Sequence, residues 1–100
     1  MSKWRQAAKV DANQSDIVKQ LRKLGYSVQV GHDDILVGHK GKTFWYEIKD
    51  PAKTLSKKTG ELLPSAIKLS QQALMSTWSG HYQIVWTLEQ ILADIASETE

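Results

Sequence analysis

The spacing of apolar residues changes from helical to strand-like and back along the chain, and the changes divide it into seven elements in the order α-β-β-β-α-β-α. Between Asp11 and Leu24, Ile17, Leu21 and Leu24 recur at i, i+4 and i+7 with Val18 alongside, while Lys19, Gln20, Arg22 and Lys23 fall on the other side. That spacing predicts an amphipathic helix. Asp11, Asn13 and Ser15 each have the chemistry of an N-cap, and Gly25 stands where a left-handed residue ends the helix. Tyr26, Val28 and Val30 then alternate as a first strand. Before the helix, Met1 to Val10 mixes Trp4 with Lys3, Arg5 and Lys9, a pattern equally compatible with a frayed helix, an ordered arm and a mobile terminus.

The stretch from Gly31 to Lys49 predicts two strands joined by a tight turn at Lys40-Gly41. Alternation sends Thr43, Trp45, Glu47 and Lys49 to one face and Phe44, Tyr46 and Ile48 to the other. A two-residue turn pairs His39 with Lys42 and Leu36 with Trp45, and sets Asp34 directly opposite Glu47. Cross-strand partners have Cβ atoms about 4.5–5.5 Å apart, close enough for two carboxylates to share a divalent cation. A bulged turn with Gly41 left-handed would slip the register and bring Asp33 opposite Glu47 instead. Asp34 is the better candidate, because Asp33 would share its face with Ile35 and Val37.

Beyond the hairpin, Asp50 to Pro64 shows no period and is interrupted by Pro51, Gly60 and Pro64. Lys53, Lys57 and Lys58 join Lys49 there in the densest basic stretch of the chain. Long unstructured loops are usually functional or disordered; this one is either a solvated loop or, given its place beside the acids, a contact for a phosphate backbone. Ser65 to Trp78 predicts a second helix with Ile67, Leu74 and Trp78 on its apolar stripe, flanked by Ala66, Leu69 and Ala73. Tyr82 to Trp86 is apolar enough for a strand covered on both faces. Thr87-Leu88-Glu89-Gln90 forms a capping box for a last helix carrying Leu88, Ile91, Leu92 and Ile95, with fraying from Ser97 onward. Trp78 and Trp86 are assigned to core packing.

At 100 residues, the chain suits a single compact domain, with the core spanning about residues 11–96. An apolar content of 41% permits a real core, and a net charge of +2 means that any nucleic-acid footprint must be local. The absence of cysteine removes disulfides and thiolate metal sites and fits a reducing compartment. No apolar run approaches the roughly 20 residues of a membrane helix, so no membrane association is expected. His32 adjoins the acids and is placed to touch metal or DNA. No two of His32, His39 and His81 have helical ligand spacing, which argues against zinc.

An acid near a strand start (Asp34 in Asp-Asp-Ile-Leu-Val-Gly), followed by Glu47-Ile48-Lys49 on the next strand, resembles the PD-(D/E)XK nuclease superfamily, and most closely its small VRR-NUC-type, phage or resolvase-like members. Asp33 stands where that family has proline before the acid. The resemblance implies a mixed α/β fold, a restriction-endonuclease-like αβββαβ core with a C-terminal helix, which matches the element order from about Asp11 to Trp86. It also implies Mg²⁺ or Mn²⁺ on Asp34 (or Asp33), Glu47 and the Ile48 carbonyl, with Lys49 serving the attacking water. Gln71 matches the glutamine on the helix after the Glu-x-Lys strand, and its place one turn after Ile67 and one before Leu74 would aim it at the sheet. Gln14 resembles the glutamine on the first helix, where Asp11 and Asp16 are acidic candidates that read better as a cap and a solvated charge.

The implied function is metal-dependent hydrolysis of DNA phosphodiesters, with structure selectivity and a homodimer as in junction resolvases, in the cytoplasm of a bacterial or phage-infected cell. The same fold with a decayed site would instead be a catalytically inactive nucleic-acid-binding module, and a third alternative is a protein–protein adaptor. The bland counterpart for Asp34, Glu47 and Lys49 is an exposed salt-bridge patch, in which a pair contributes about 0.2–1 kcal/mol.

Overall fold

The computed structural model describes residues 12–31 and 34–99. Met1 to Asp11, including Trp4, as well as His32 and Asp33, lie outside the described residues. Helix α1 (Ala12–Lys23) is followed by strands β1 (Ser27–Val30), β2 (Asp34–His39) and β3 (Lys42–Ile48). A short helix α2 (Pro51–Thr54), a 3₁₀ turn at Pro64–Ala66 and helix α3 (Leu69–Thr77) then lead to strand β4 (Tyr82–Val85) and helix α4 (Leu88–Thr99). The strands lie in the order β1-β2-β3-β4, the first three antiparallel and β4 parallel to β3. The fold is therefore mixed α+β, with a four-stranded mixed sheet.

The β2–β3 turn sets the register. Lys40 (φ 53°) and Gly41 (φ 79°) both occupy the left-handed region, the conformation whose twist matches paired strands in a two-residue hairpin. Asp34 consequently pairs with Glu47, Leu36 with Trp45 and His39 with Lys42, as the alternation predicts. Ile35, Val37, Phe44, Tyr46 and Ile48 then share one face. With Val28 and Val85 they pack against Ile17, Val18 and Leu21 of α1 and Ile91 and Ile95 of α4 to make the core. Asp94 of α4 accepts hydrogen bonds from the Tyr46 hydroxyl (2.6 Å) and from His81 when its Nε2 is protonated, tying the helix to β3. Burial first, then the bond to Asp94 and its charge, push the Tyr46 phenol far above its ordinary ionisation range.

Local signals end the elements where the chemistry allows. Gly25 (φ 99°) terminates α1, and the Tyr26 N–H returns to the Leu21 carbonyl. The Thr87 hydroxyl accepts from the Gln90 N–H, and the Gln90 side chain accepts from the N–H groups of Trp86 and Thr87, so the predicted capping box opens α4.

Several expectations are corrected. Asp50 to Pro64 is not structureless: Asp50 caps α2 through the Ala52 N–H, Pro51 occupies its first turn, and Leu55 bridges Leu62 to close a small excursion. The helix expected from Ser65 is broken, because Ile67 is extended (φ −100°, ψ 111°) and α3 starts only at Leu69. β4 is an edge strand, with Val85 alone fully buried. Leu24 is 59% exposed and Trp78 50% exposed, so neither belongs to the core, and Trp86 is only partly buried. Helix α4 continues through Ser97 to Thr99.

Two substitutions test this assignment. Leu21→Ala, at a fully buried site, should cost about 2–5 kcal/mol in urea denaturation, whereas Leu24→Ala on the same helix should stay within about 0.5 kcal/mol. Equal losses would place Leu24 in the core after all.

Candidate active site

The second face of the hairpin carries Asp34, Leu36, Thr43, Trp45 and Glu47, and Lys49 continues that face just beyond β3. The first turn of α3 brings Gln71 over it. Gln71 Nε2 donates to Glu47 Oε2 at 3.0 Å, and its Oε1 accepts from Lys49 Nζ at 2.9 Å and from the Lys68 N–H at 3.1 Å. Lys49 Nζ lies 3.8 Å from the same Glu47 oxygen. Glu47, Lys49 and Gln71 are only 7%, 9% and 7% exposed. This burial excludes the exposed salt-bridge patch as a description of these residues. The Lys49 backbone is also fixed, its N–H donating to Val85 O (2.9 Å) and its carbonyl accepting from Asn13 Nδ2 (3.1 Å). Asn13 also donates to Trp86 O (3.2 Å), so α1 clamps the ends of β3 and β4 together.

Asp34 is held by two constraints. The Trp45 indole N–H donates to its Oδ2 at 2.7 Å. Its Oδ1 rests over Gly31, where a Cβ would lie 2.1 Å away, so only glycine leaves room for this carboxylate position. Tyr82 pairs with Trp45 from β4 and turns its hydroxyl into the same face, where that atom is buried and has no hydrogen-bond partner among the described residues. Burial, followed by the charges of Glu47 and Asp34, pushes its phenol up to about 12. The hydroxyl thus remains a proton donor beside two carboxylates throughout the physiological range.

Asp34 and Glu47 present hard carboxylate oxygens from adjacent positions. No cluster of three or more histidine, aspartate or glutamate side chains is placed to share an ion among the described residues. Mg²⁺ does not need one, because it is commonly bound by one or two carboxylates, with water and substrate phosphate completing its octahedron. Asp34 and Glu47 are the residues that could hold a hard divalent cation, and the chain has no cysteine to offer a thiolate beside them.

The remaining candidates separate. Gln14 is 3% exposed, but its Nε2 has no partner among the described residues; it lines a groove with Val18, Arg22 and Val30, outside the hydrogen-bonded network of Glu47, Lys49 and Gln71. Asp16 is an exposed helix charge bonded to Gln20. Lys53, Lys57 and Lys58 are exposed on the excursion between β3 and α3, and none joins the network. Trp45, expected from alternation on the Glu47 face either beneath the site or against a base, bonds Asp34 there, whereas Asn13 and Tyr82 are contributors that motif reasoning misses. Trp45 and Tyr82 share the acid face by strand alternation, a usable signal; Asn13 acts across 36 and 73 residues and leaves none. Comparisons with protein-family models, with curated proteins and with solved structures find no match for the chain.

Two results follow from this geometry. In Gly31→Ala the colliding Oδ1 is the free end of a side chain, so the fold should survive while Asp34 leaves the indole. The Trp45 indole N–H resonance should then shift, and an unchanged resonance would refute the Gly31 constraint. Gln71→Ala removes the acceptor of a buried ammonium and should cost about 1–3 kcal/mol in denaturant titration; a neutral substitution would mean that the bridge carries no energy.

Proposed function

We propose that the chain is a metal-dependent DNA endonuclease of the PD-(D/E)XK type, built on the αβββαβ core with a C-terminal helix. The observation that carries this reading is Asp34 in register with Glu47, with Lys49 and Gln71 joined to Glu47 on the same face. An acid pair alone would suit many cation sites. An acid pair with a buried lysine two residues beyond one acid also provides a group for the attacking water.

Asp34, Glu47 and the Ile48 carbonyl would hold Mg²⁺ or Mn²⁺, which when bound neutralises charge at the phosphoryl group and activates water. Lys49 orients the attacking water and offsets negative charge on the phosphate. Gln71 donates to Glu47 and accepts from Lys49, so both side chains keep fixed positions in a site largely closed to solvent. Trp45 orients Asp34 in the same way through the indole N–H. The exposed Lys53, Lys57 and Lys58 supply attraction for the DNA backbone, which makes binding salt-dependent. One chain offers one such site, so cutting both strands of a duplex or a four-way junction takes a homodimer.

The test is cleavage of labelled duplex, single-stranded, flap and four-way-junction DNA with Mg²⁺, Mn²⁺ or EDTA. Cutting should require metal, and Asp34→Asn and Lys49→Ala should each reduce it by at least about a hundredfold. Cutting that persists in EDTA or in both variants would overturn the proposal. DNA binding without cleavage by any arm would instead identify a binding module of the same fold.

A further inference from the structure

Trp78 is the last residue against α3, its N–H closing the helix on the Leu74 carbonyl at 2.9 Å, and half of its surface faces solvent. An exposed tryptophan is usually free to reorient, but this one is held on two sides. Its ring meets Trp45 edge to face at 5.2 Å and 81°. Its indole nitrogen rests against Gly80, where a Cβ would lie 2.8 Å away, so a side chain at 80 would have to push the ring aside. Trp45 in turn meets Tyr82 at 4.8 Å and donates to Asp34. The rings form a continuous stair from solvent at Trp78 to the carboxylate at Asp34.

The charge balance of the segment that carries Trp78 suits an anionic, planar ligand. Helix α3 carries no charged residue. The chain from Pro51 to His81 bears Lys53, Lys57, Lys58 and Lys68 against Glu61 as its one acid. From Gln71 beside Glu47 to Trp78 is seven residues of chain, about 10 Å along a helix at 1.5 Å per residue. A strand whose phosphate sits at the acids can therefore lay a neighbouring base on the indole. An unstacked base has a free π-face, which aromatic side chains bind without regard to sequence. A base inside a duplex does not.

We propose that Trp78 is a stacking platform for an unpaired nucleobase of single-stranded DNA, and that it biases the site toward single-stranded, flapped or gapped segments. This rests on the nuclease reading above. The test is fluorescence anisotropy with Ca²⁺ in place of Mg²⁺ or Mn²⁺, so that a hard cation is present at the acids, and with the DNA checked by gel to be uncut; a labelled single strand and a blunt duplex of the same sequence are used with wild type, Trp78→Ala and Trp78→Phe. Loss of one stacked base should weaken single-strand binding about tenfold in Trp78→Ala, leave the duplex nearly unchanged and be largely rescued in Trp78→Phe. A 2-aminopurine in the strand should be quenched by wild type and not by Trp78→Ala, which a merely structural role would not produce. Equal single-strand binding by wild type and Trp78→Ala would overturn the platform and leave the nuclease reading standing. If Trp78→Ala does not fold, unquenched 2-aminopurine in the wild-type complex overturns the platform by itself. Wild type that binds neither DNA would remove both.

Discussion

Two consecutive residues in the left-handed region, Lys40 and Gly41, constrain the whole arrangement. Glycine adopts that region without cost, while lysine does so against its Cβ, so the turn is held by the strands it joins as well as joining them. The resulting register places every β2 and β3 side chain. A slip of one residue would send Ile35 and Val37 to solvent and bury Asp34 and Leu36 in their place. The core that α1 and α4 cover and the acid pair on the opposite face are therefore two results of one turn. Neither can shift without the other.

The two faces are built on different principles. The core face is apolar, and Asp94 supplies an acceptor where the Tyr46 hydroxyl needs one. The acid face buries Glu47, Lys49 and Gln71 under the first turn of α3. Such a cluster is a poor device for stability. The desolvation of two charges can exceed their attraction, and apolar replacements of similar volume are often neutral or stabilising. Stability alone therefore does not account for its ordering, and the chemistry proposed for this face would. Asp34 supports that view: its position needs Gly31 on one side and the Trp45 indole on the other, an investment in the orientation of one carboxylate.

Much of this was legible in the residues. Alternation and the Lys40-Gly41 turn set Asp34 opposite Glu47; Gln71 came from the family resemblance, and the helical turn from Ile67 that was to aim it is absent, because α3 starts only at Leu69. Periodicity says that an element has an apolar side but not that a partner covers it, which is why Leu24, Val30 and Trp78 are exposed despite lying in apolar patterns. The short helix α2 was readable in principle, since Asp50-Pro51 is a cap followed by a residue suited to the first helical turn. The break at Ile67 was harder to read: Pro64 opens a 3₁₀ turn that ends at Ala66, and the Gln71 side chain accepts from the Lys68 N–H to start α3 afresh at Leu69. Asn13 joins α1 to the ends of two strands, a tertiary contact that no local pattern encodes.

The most direct measurement is a Mn²⁺ titration of the free, folded protein, followed by loss of the aqueous Mn²⁺ electron paramagnetic resonance signal, with Asp34→Asn, Glu47→Gln and Lys49→Ala beside wild type. The account predicts a site that either acid substitution strongly weakens and that Lys49→Ala leaves at least as strong, since Lys49 contributes a competing positive charge and no ligand. Binding retained in both acid variants, or no binding by folded wild type, would contradict it.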